Sequence, residues 1–208
     1  QAIGILVLEG YGLTETSPIL SVREEKHPVP GTVGRFLPDI QHKVIDDNGK
    51  EVKPGHKGIL WVKSEQVMVG YYKKPEETEK VLKDGWLNTG DIVMLTYNDE
   101  IKIIGRAKDT IVLLGGENVE PEPIEDKLCQ SDYIEQAMVV GQDQRFLGAL
   151  IVPNLETLEE YAQSKGISYI EREELINNPE ILELINDEIQ GLVSTKTGFK
   201  PFERIFRF

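Results

Sequence analysis

The sequence contains a single cysteine, Cys129, and this excludes a disulfide framework and a cysteine-rich zinc site. Its three histidines, His27, His42 and His56, lack metal-ligand spacing, and we interpret them as surface or loop residues. No apolar run approaches the ~20 residues of a membrane-spanning helix, and no signal peptide is visible. These absences favour a reducing, cytoplasmic compartment and leave peripheral association with a membrane open.

Positive charge is also scarce. The 208 residues include 23 Lys and Arg against 36 Asp and Glu, for a net charge of −13. General electrostatics therefore argue against nucleic acid or an anionic membrane as a main partner. The hydrophobic content of 39% is sufficient for a globular core, and the length suits one large domain or two small ones. The chain opens on Gln1 and an apolar run without Met, which we interpret as the interior of a longer protein.

Short apolar runs bounded by turn-forming residues predict a series of strands in the first half of the chain. The predicted strands are 5–8, 42–46, 58–63, 91–95 and 101–105. Pro75, followed by two glutamates, indicates the start of one short helix. We therefore expect a β-rich unit, a small barrel or a curled sheet, over residues 1–108.

The pattern changes at Asp109 to that of a smaller α+β unit, residues 109–208. Its predicted elements are strands at 111–114, 134–141 and 147–153 and helices at 123–131 and 179–194. The last helix places its apolar residues on one broad face. These residues are Ile181, Leu182, Leu184, Ile185, Ile189, Leu192 and Val193.

Residues 9–18 combine glycines, an aromatic ring, hydroxyls and an acid directly after an apolar run. Glycine permits close approach of the backbone to a ligand, and Tyr11 can lie against a flat ring. Thr14 can contact a phosphate oxygen, and Glu15 is a hard oxygen ligand suited to Mg²⁺. Such a set would hold a metal–nucleotide, although a strand followed by a glycine-rich turn explains the same residues.

Two later stretches carry further polar candidates. Asp91 follows a Thr-Gly pair and could accept hydrogen bonds from two ribose hydroxyls, or serve only a turn. Arg106 follows Gly105 and offers a planar set of donors for ribose or phosphate oxygens, or forms part of a hairpin with exposed charges. Gly115 and Gly116 offer a backbone that a narrow ligand could pass closely.

The order and spacing of these stretches closely resemble the adenylate-forming enzymes, a superfamily that includes acyl-CoA synthetases, firefly-type luciferases and the adenylation domains of peptide synthetases. The matching motifs are "GYGLTETSP", "MVGYYKKPEET", "GWLNTGDI" and "GRAKDTIVLLGGENVEPEPIE". They cover essentially the whole chain. The form "GGENVEPEPIE" is most similar to the long-chain fatty acyl-CoA synthetases.

The resemblance implies a ligase that activates a fatty acid with ATP to an acyl-adenylate and passes the acyl group to coenzyme A. ATP or AMP, Mg²⁺ and coenzyme A are then the expected cofactors. Tyr11 and the backbone of Gly12 would flank adenine. Thr14 and Glu15 would be catalytic, with Thr14 on phosphate and Glu15 on Mg²⁺. The β-rich unit would be part of the distorted barrel of a larger domain.

The remaining implied roles concern the ribose and the second unit. Asp91 would bind the ribose hydroxyls with help from Arg106, and Ile103 would pack near the nucleoside. Asp109 would be the hinge about which the smaller domain swings between the two half-reactions. The stretch that would line the pantetheine channel after this rotation comprises Gly115, Gly116 and Glu117.

Two departures from the family pattern matter. The Ser/Thr/Gly-rich phosphate loop and most of the acyl pocket are absent, and we do not assign Lys196 or Lys200 as the catalytic lysine. We therefore expect the chain to be inactive alone and truncated at its end. Alternatives are a non-catalytic nucleotide-binding or protein-interaction module, and an adenylate-former for another carboxylic acid or a carrier-protein acceptor.

Overall fold

A computed structural model describes residues 7–26 and 28–208 of the chain. His27 and the first two residues of the predicted strand 5–8 lie outside the described residues. The chain separates into two compact units, Gln1–Lys108 and Asp109–Phe208. Over the described residues, no helix is both long and apolar enough to cross a membrane.

Most of the regular elements described in the first unit are antiparallel strands. Within its described residues the elements are β1 (Gly10–Tyr11), β2 (Ser21–Val22), β3 (Arg35–Phe36), β4 (Gln41–Ile45), β5 (Lys57–Lys63), α1 (Pro75–Val81), β6 (Leu82–Lys83), β7 (Trp86–Leu95) and β8 (Ile101–Arg106). Strands β1, β2 and β3 form one small sheet. Strands β4, β5 and β7 form a second sheet, and the far edge of β7 pairs with β6 and then with β8.

Strand β7 begins earlier than its sequence suggests. The Thr89-Gly90 pair, expected to form a turn before Asp91, lies inside the strand. Gly90 has a φ of 74°, and the register between β5 and β7 shifts there. A positive φ is tolerated by glycine, so the strand accommodates a local irregularity and continues. The inner face of the sheet buries Leu60, Leu87 and Val93.

Two other expectations for this unit were wrong. Val7 and Leu8 belong to no strand, because pairing with β2 begins at Gly10, and both side chains are exposed. His42 was interpreted as a surface or loop residue, but it lies half-buried in β4, which corresponds to the predicted strand 42–46, and its ring stacks on Phe36 at a centroid distance of 4.0 Å.

The second unit is an α+β arrangement. Within its described residues the elements are β9 (Ile111–Val112), β10 (Asn118–Val119), α2 (Glu122–Leu128), β11 (Ile134–Val140), β12 (Leu147–Pro153), α3 (Leu155–Lys165), α4 (Arg172–Ile176), α5 (Pro179–Leu192) and β13 (Ile205–Arg207). Strand β12 pairs antiparallel with β11 and parallel with β13, while β9 and β10 form a separate two-stranded sheet. The predicted fold class, a β-rich unit followed by a small α+β unit, is confirmed, and the described strands form open sheets with no closed barrel.

Helix α5 supplies much of the core of this unit. Asn178 caps its first turn by accepting a hydrogen bond from the backbone N–H of Glu180 at 2.9 Å. Ile181, Ile185 and Ile189, spaced four residues apart, are buried along one stripe. Leu182 was predicted on the same face but is 41% exposed, because the buried stripe is narrower than the apolar pattern.

Candidate functional site

Three of the predicted site residues meet in the first unit. The Tyr11 hydroxyl donates a hydrogen bond to Oδ2 of Asp91 at 2.6 Å, and Nε of Arg106 donates to Oδ1 at 2.9 Å. Asp91 and Arg106 are directly opposite each other on β7 and β8. Their side chains are therefore neighbours through strand register, whereas Tyr11 reaches Asp91 from 80 residues earlier in the chain.

This cluster is graded from buried to exposed. Asp91 is 3% exposed and Tyr11 is 9% exposed, while the Arg106 side chain is 51% exposed. A buried carboxylate requires partners that replace water, and here each oxygen has one. Burial raises the pKa of Tyr11 far above its ordinary value, and its hydrogen bond to the Asp91 carboxylate adds to this rise. The phenol therefore stays protonated and acts as a donor.

The irregular part of β7 sets the position of Asp91. Thr89 Oγ1 accepts a hydrogen bond from the backbone N–H of Asp91 at 3.1 Å and donates one to the Leu60 carbonyl at 2.9 Å. The Asn88 side chain accepts from the N–H of Gly90, also at 2.9 Å. These short polar side chains satisfy backbone groups that the shifted register leaves without strand partners. The Thr-Gly signal in the sequence thus marks a support for Asp91.

Glu15 is positioned by a single 3₁₀ turn, Thr14–Thr16. The buried Thr16 hydroxyl accepts from the N–H of Leu13 and donates to the Leu13 carbonyl, both at 3.0 Å, which closes the turn. The Glu15 carbonyl accepts from the N–H of Met68 at 2.8 Å. Its carboxylate accepts a hydrogen bond from the hydroxyl of Tyr71, also at 2.8 Å.

Sequence reasoning assigned no role to Tyr71, although the motif "MVGYYKKPEET" contains it. Its pKa is raised, chiefly because its hydroxyl donates to the Glu15 carboxylate and in part because of burial. The signal available in the sequence was the motif itself. Two adjacent tyrosines gave no indication of which one contacts Glu15.

A cleft of about 530 Å³ lies beside these groups, within the first unit. Residues with functional groups or open backbone on its wall include Gly12, Thr14, Glu15, Tyr71, Arg106 and Lys108. Two cations, one carboxylate and several hydroxyls thus share one concave surface. Such a wall suits a ligand that carries several negative charges and hydroxyl groups.

The fold itself requires glycine at position 12, apart from any close approach of a ligand. A Cβ at this position would collide with the carbonyl oxygen of Pro18 and would lie 2.7 Å from the Cα of Ile19. The glycine is therefore required because the chain passes close to its own next segment. Its exposed side still contributes to the cleft.

Several predicted residues do not line this cleft. Tyr11 is turned inward onto Asp91, so little of its ring is open for an adenine, and the stacking role stays a prediction. Ile103 is half-buried and packs on the core of the first unit. Asp109 begins the second unit. The connection between β9 and β10, inside the second unit, carries Gly115, Gly116 and Glu117.

The metal prediction rests on one carboxylate. Among the described residues, no group of three or more His, Cys, Asp or Glu side chains could hold a metal ion. Mg²⁺ commonly takes only one or two protein carboxylates and completes its shell with water and substrate phosphates. Glu15 on the cleft wall fits that mode of binding, in which a nucleotide brings the metal.

Two protein families match this chain. The AMP-binding enzyme family matches residues 1–72, and the AMP-binding enzyme C-terminal domain matches residues 108–190. The chain belongs to the adenylate-forming, AMP-binding enzymes. The family resemblance inferred from the four motifs is thereby confirmed.

Curated relatives of this chain are fatty acid ligases and acyl-activating enzymes. A probable acyl-activating enzyme 16 of Arabidopsis thaliana chloroplasts is 46% identical over 177 residues, which is 79% of this chain and 24% of that protein. A chloroplastic long-chain-fatty-acid–[acyl-carrier-protein] ligase, AEE15, of the same plant is 45% identical, covering 75% of this chain and 23% of its own length. A long-chain-fatty-acid–CoA ligase of Haemophilus influenzae is 39% identical, with coverages of 86% and 30%. The chain therefore spans between about a quarter and a third of these relatives.

Solved structures share the fold. An anthranilate CoA ligase in complex with anthranoyl-AMP superposes with a TM-score of 0.75 at 22% identity, covering 98% of this chain and 36% of that one. An ATP-bound chimera named RpMatB-BxBclM B1 gives a TM-score of 0.72 at 27% identity, with coverages of 99% and 37%. At 22% identity, the likeness to the anthranilate CoA ligase concerns the fold alone.

Proposed function

We propose that this chain forms the nucleotide-binding part and the adjoining smaller unit of a ligase that activates a long-chain fatty acid with ATP. The observation that carries the proposal is the hydrogen-bonded cluster of Tyr11, Asp91 and Arg106 beside a cleft lined by Thr14 and Glu15. These residues come from three separate motifs and meet in one place. The names of the curated relatives support the fatty acid as the acid that is activated.

In this proposal Asp91 and Arg106 act on the ribose. An ionised carboxylate has about four lone-pair sites, and the Tyr11 hydroxyl and Arg106 Nε use two of them. The remaining sites accept from the vicinal hydroxyls. Tyr11 and Arg106 hold the carboxylate from two sides, so its orientation is fixed before the nucleotide enters. Arg106 lies half-exposed on the cleft wall, and its guanidinium would contact ribose or phosphate oxygens.

We assign the phosphates to the part of the cleft lined by Thr14, Glu15 and Lys108. Thr14 donates its hydroxyl to a phosphate oxygen, and Lys108 adds a positive charge. Glu15 would hold Mg²⁺ through its carboxylate, and the ion would neutralise charge on the phosphates. In this assignment a donor, a cation and a metal ligand share the wall of the cleft that would face the nucleotide.

The reaction follows from the chemistry of carboxylates. A carboxylate oxygen attacks the α-phosphorus of ATP, pyrophosphate leaves, and the product is a mixed anhydride with AMP. A thiol sulfur then attacks the acyl carbonyl carbon, and AMP leaves. We assign Asp109 as the hinge between these steps and Gly115, Gly116 and Glu117 to the channel of the thiol substrate. Activation is required because a carboxylate cannot expel hydroxide at neutral pH.

The test is ATP–pyrophosphate exchange by the full-length protein with a series of fatty acids. Exchange that depends on a long-chain acid is the expected result. Asp91→Ala is expected to raise the KM for ATP, whereas the exposed Asp47→Ala, a carboxylate deletion elsewhere in the same unit, leaves it unchanged. An unchanged KM in Asp91→Ala would remove this residue from the ribose site. Absence of exchange with any carboxylic acid, together with micromolar ATP binding, would favour a non-catalytic nucleotide module.

A carrier-protein thiol is the second candidate acceptor, because one relative is named as an acyl-carrier-protein ligase. Thioester formation is measured with coenzyme A and with a holo acyl carrier protein at equal thiol concentration. A product on coenzyme A alone supports the first acceptor, and a product on the protein thiol alone supports the second. Aromatic acids in the same assay test the remaining alternative for the activated acid.

A further inference from the structure

The side chain of Tyr71 makes a contact with a residue far away in the sequence. Its hydroxyl donates to Oε1 of Glu15 at 2.8 Å across 56 residues of sequence. The Tyr71 side chain is partly exposed on the cleft wall and contributes little to the buried core. Its neighbour Tyr72 is 85% exposed. Only one of two adjacent, chemically identical residues therefore reaches the carboxylate.

The backbone around Tyr71 is fastened at both of its polar groups. The N–H of Tyr71 donates to Thr78 Oγ1 at 2.9 Å, and its carbonyl accepts from the N–H of Lys74 at 3.1 Å. Gly70 has a φ of 145°, and a Cβ there would lie 2.8 Å from the Thr78 methyl carbon. A residue with a side chain would therefore be strained at position 70. The start of α1 thus holds Tyr71 in one place.

Glu15 is tied to the same region through its backbone. The Met68 N–H donates to the Glu15 carbonyl at 2.8 Å, only three residues before Tyr71. The main chain and the side chain of Glu15 are thus both bound to the segment that leads into α1. A carboxylate whose first oxygen is occupied by a phenol presents its second oxygen in a restricted direction.

We propose that Tyr71 is a positioning residue, which binds Oε1 of Glu15 so that Oε2 is presented to the divalent cation that accompanies the nucleotide. The inference rests on the proposed function, because it takes Glu15 as the metal ligand. It assigns to the tyrosine of "MVGYYKKPEET" a role in metal–nucleotide binding and no direct contact with the reacting atoms.

Tyr71→Phe removes only the donor and keeps the ring. Because the lost hydrogen bond is to a charged group, we expect Mg–ATP to bind about 10-fold more weakly, which corresponds to about 1.4 kcal/mol. ATP without metal is expected to bind as in the wild type, since Glu15 then has no ion to hold. Tyr72→Phe is the matched control and leaves both affinities unchanged.

Both affinities are measured by calorimetry on the full-length protein, with MgCl₂ or with EDTA, and thermal unfolding of each variant is recorded. Equal weakening of metal-bound and metal-free ATP would assign Tyr71 a merely structural role and overturn the inference. Unchanged Mg–ATP binding in Tyr71→Phe would also overturn the inference. Neither result affects the proposed function, which is tested separately by pyrophosphate exchange and ATP binding in the wild type.

A double-mutant cycle with Glu15→Gln separates an effect through Glu15 from an effect elsewhere. If Tyr71 acts through this carboxylate, Tyr71→Phe weakens Mg–ATP binding far less on the Glu15→Gln background than on the wild type. Full additivity of the two losses would show that Tyr71 does not act through Glu15 and would overturn the inference.

Discussion

The buried hydrogen bond between Tyr11 and Asp91 leads to a quantitative prediction. Tyr11→Phe keeps the ring in its place but leaves Oδ2 of a 3%-exposed carboxylate without its 2.6 Å donor. Hydrogen bonds to charged groups contribute roughly 1.5–3 kcal/mol, and an unsatisfied buried acceptor carries its own desolvation cost. We expect the free energy of unfolding of the first unit to fall by about 2 kcal/mol.

Urea unfolding followed by tryptophan fluorescence measures this change. Both tryptophans of the chain, Trp61 and Trp86, lie in strands of the first unit, so their emission reports on that unit alone. With an m-value of about 2 kcal/mol/M, typical of a domain of this size, the midpoint is expected to move down by about 1 M. An unchanged m-value would show that the variant unfolds by the same transition.

Tyr97→Phe is the control for Tyr11→Phe, since it removes the same hydroxyl from a residue that is 86% exposed. It is expected to change the stability by less than about 0.5 kcal/mol. If Tyr11→Phe proves as mild as Tyr97→Phe, then the Tyr11 hydroxyl does not compensate the buried carboxylate, and the account of the cluster given above is incorrect.

Three further predictions concern pH, the hinge and the second core. Because the pKa of Tyr11 is raised above its ordinary value of 10.0, the folded state retains a proton that the unfolded state releases, so the stability falls as the pH rises above about 10. An absorbance titration at alkaline pH should show Tyr11 ionising only when the protein unfolds. A wild-type titration identical to that of Tyr11→Phe plus one freely ionising tyrosine would contradict this. In the full-length protein, Asp109→Pro should slow thioester formation more than pyrophosphate exchange, because proline restricts the backbone at the assigned hinge; equal slowing of both steps would argue against a hinge. In helix α5, Ile189→Ala should lower the free energy of unfolding by about 3 kcal/mol, whereas Leu182→Ala, at a 41%-exposed position, should lower it by under about 1 kcal/mol, both measured by calorimetry. Similar losses of stability in the two variants would show that the buried stripe is misassigned.

Most elements of the fold could be predicted from local patterns. Pro75 at the first position of α1 and Asn178 immediately before α5 each mark the start of a helix, and each lies within one turn of that start. Strands β4, β5, β11 and β12 follow from short runs of apolar and β-branched residues. One error falls where local signals conflict: the Thr89-Gly90 pair has the composition of a turn but lies within β7. Side chains there accept hydrogen bonds from the backbone N–H groups of Gly90 and Asp91.

The candidate site was only partly visible in the same way. The motifs identified Asp91 and Arg106, and the structure places them opposite each other in the strand ladder. The inward direction of Tyr11 and the involvement of Tyr71 could not be read from the motifs. The burial and the hydrogen bonds of a side chain depend on which other side chains the fold brings next to it. A motif identifies a residue but does not show which distant residues it contacts.

The sequence alone determined the family, the kinds of secondary structure and the short list of polar residues, since these follow from residue type and from spacing over a few positions. Tertiary structure decided which of those residues are partners. Tyr11 binds Asp91 across 80 residues and Tyr71 binds Glu15 across 56, and in each case strand pairing and chain packing bring the two residues together. The periodicity of a sequence indicates on which face of an element a side chain lies. A hydrogen bond of 2.6 or 2.8 Å also requires that two separate segments pack against each other.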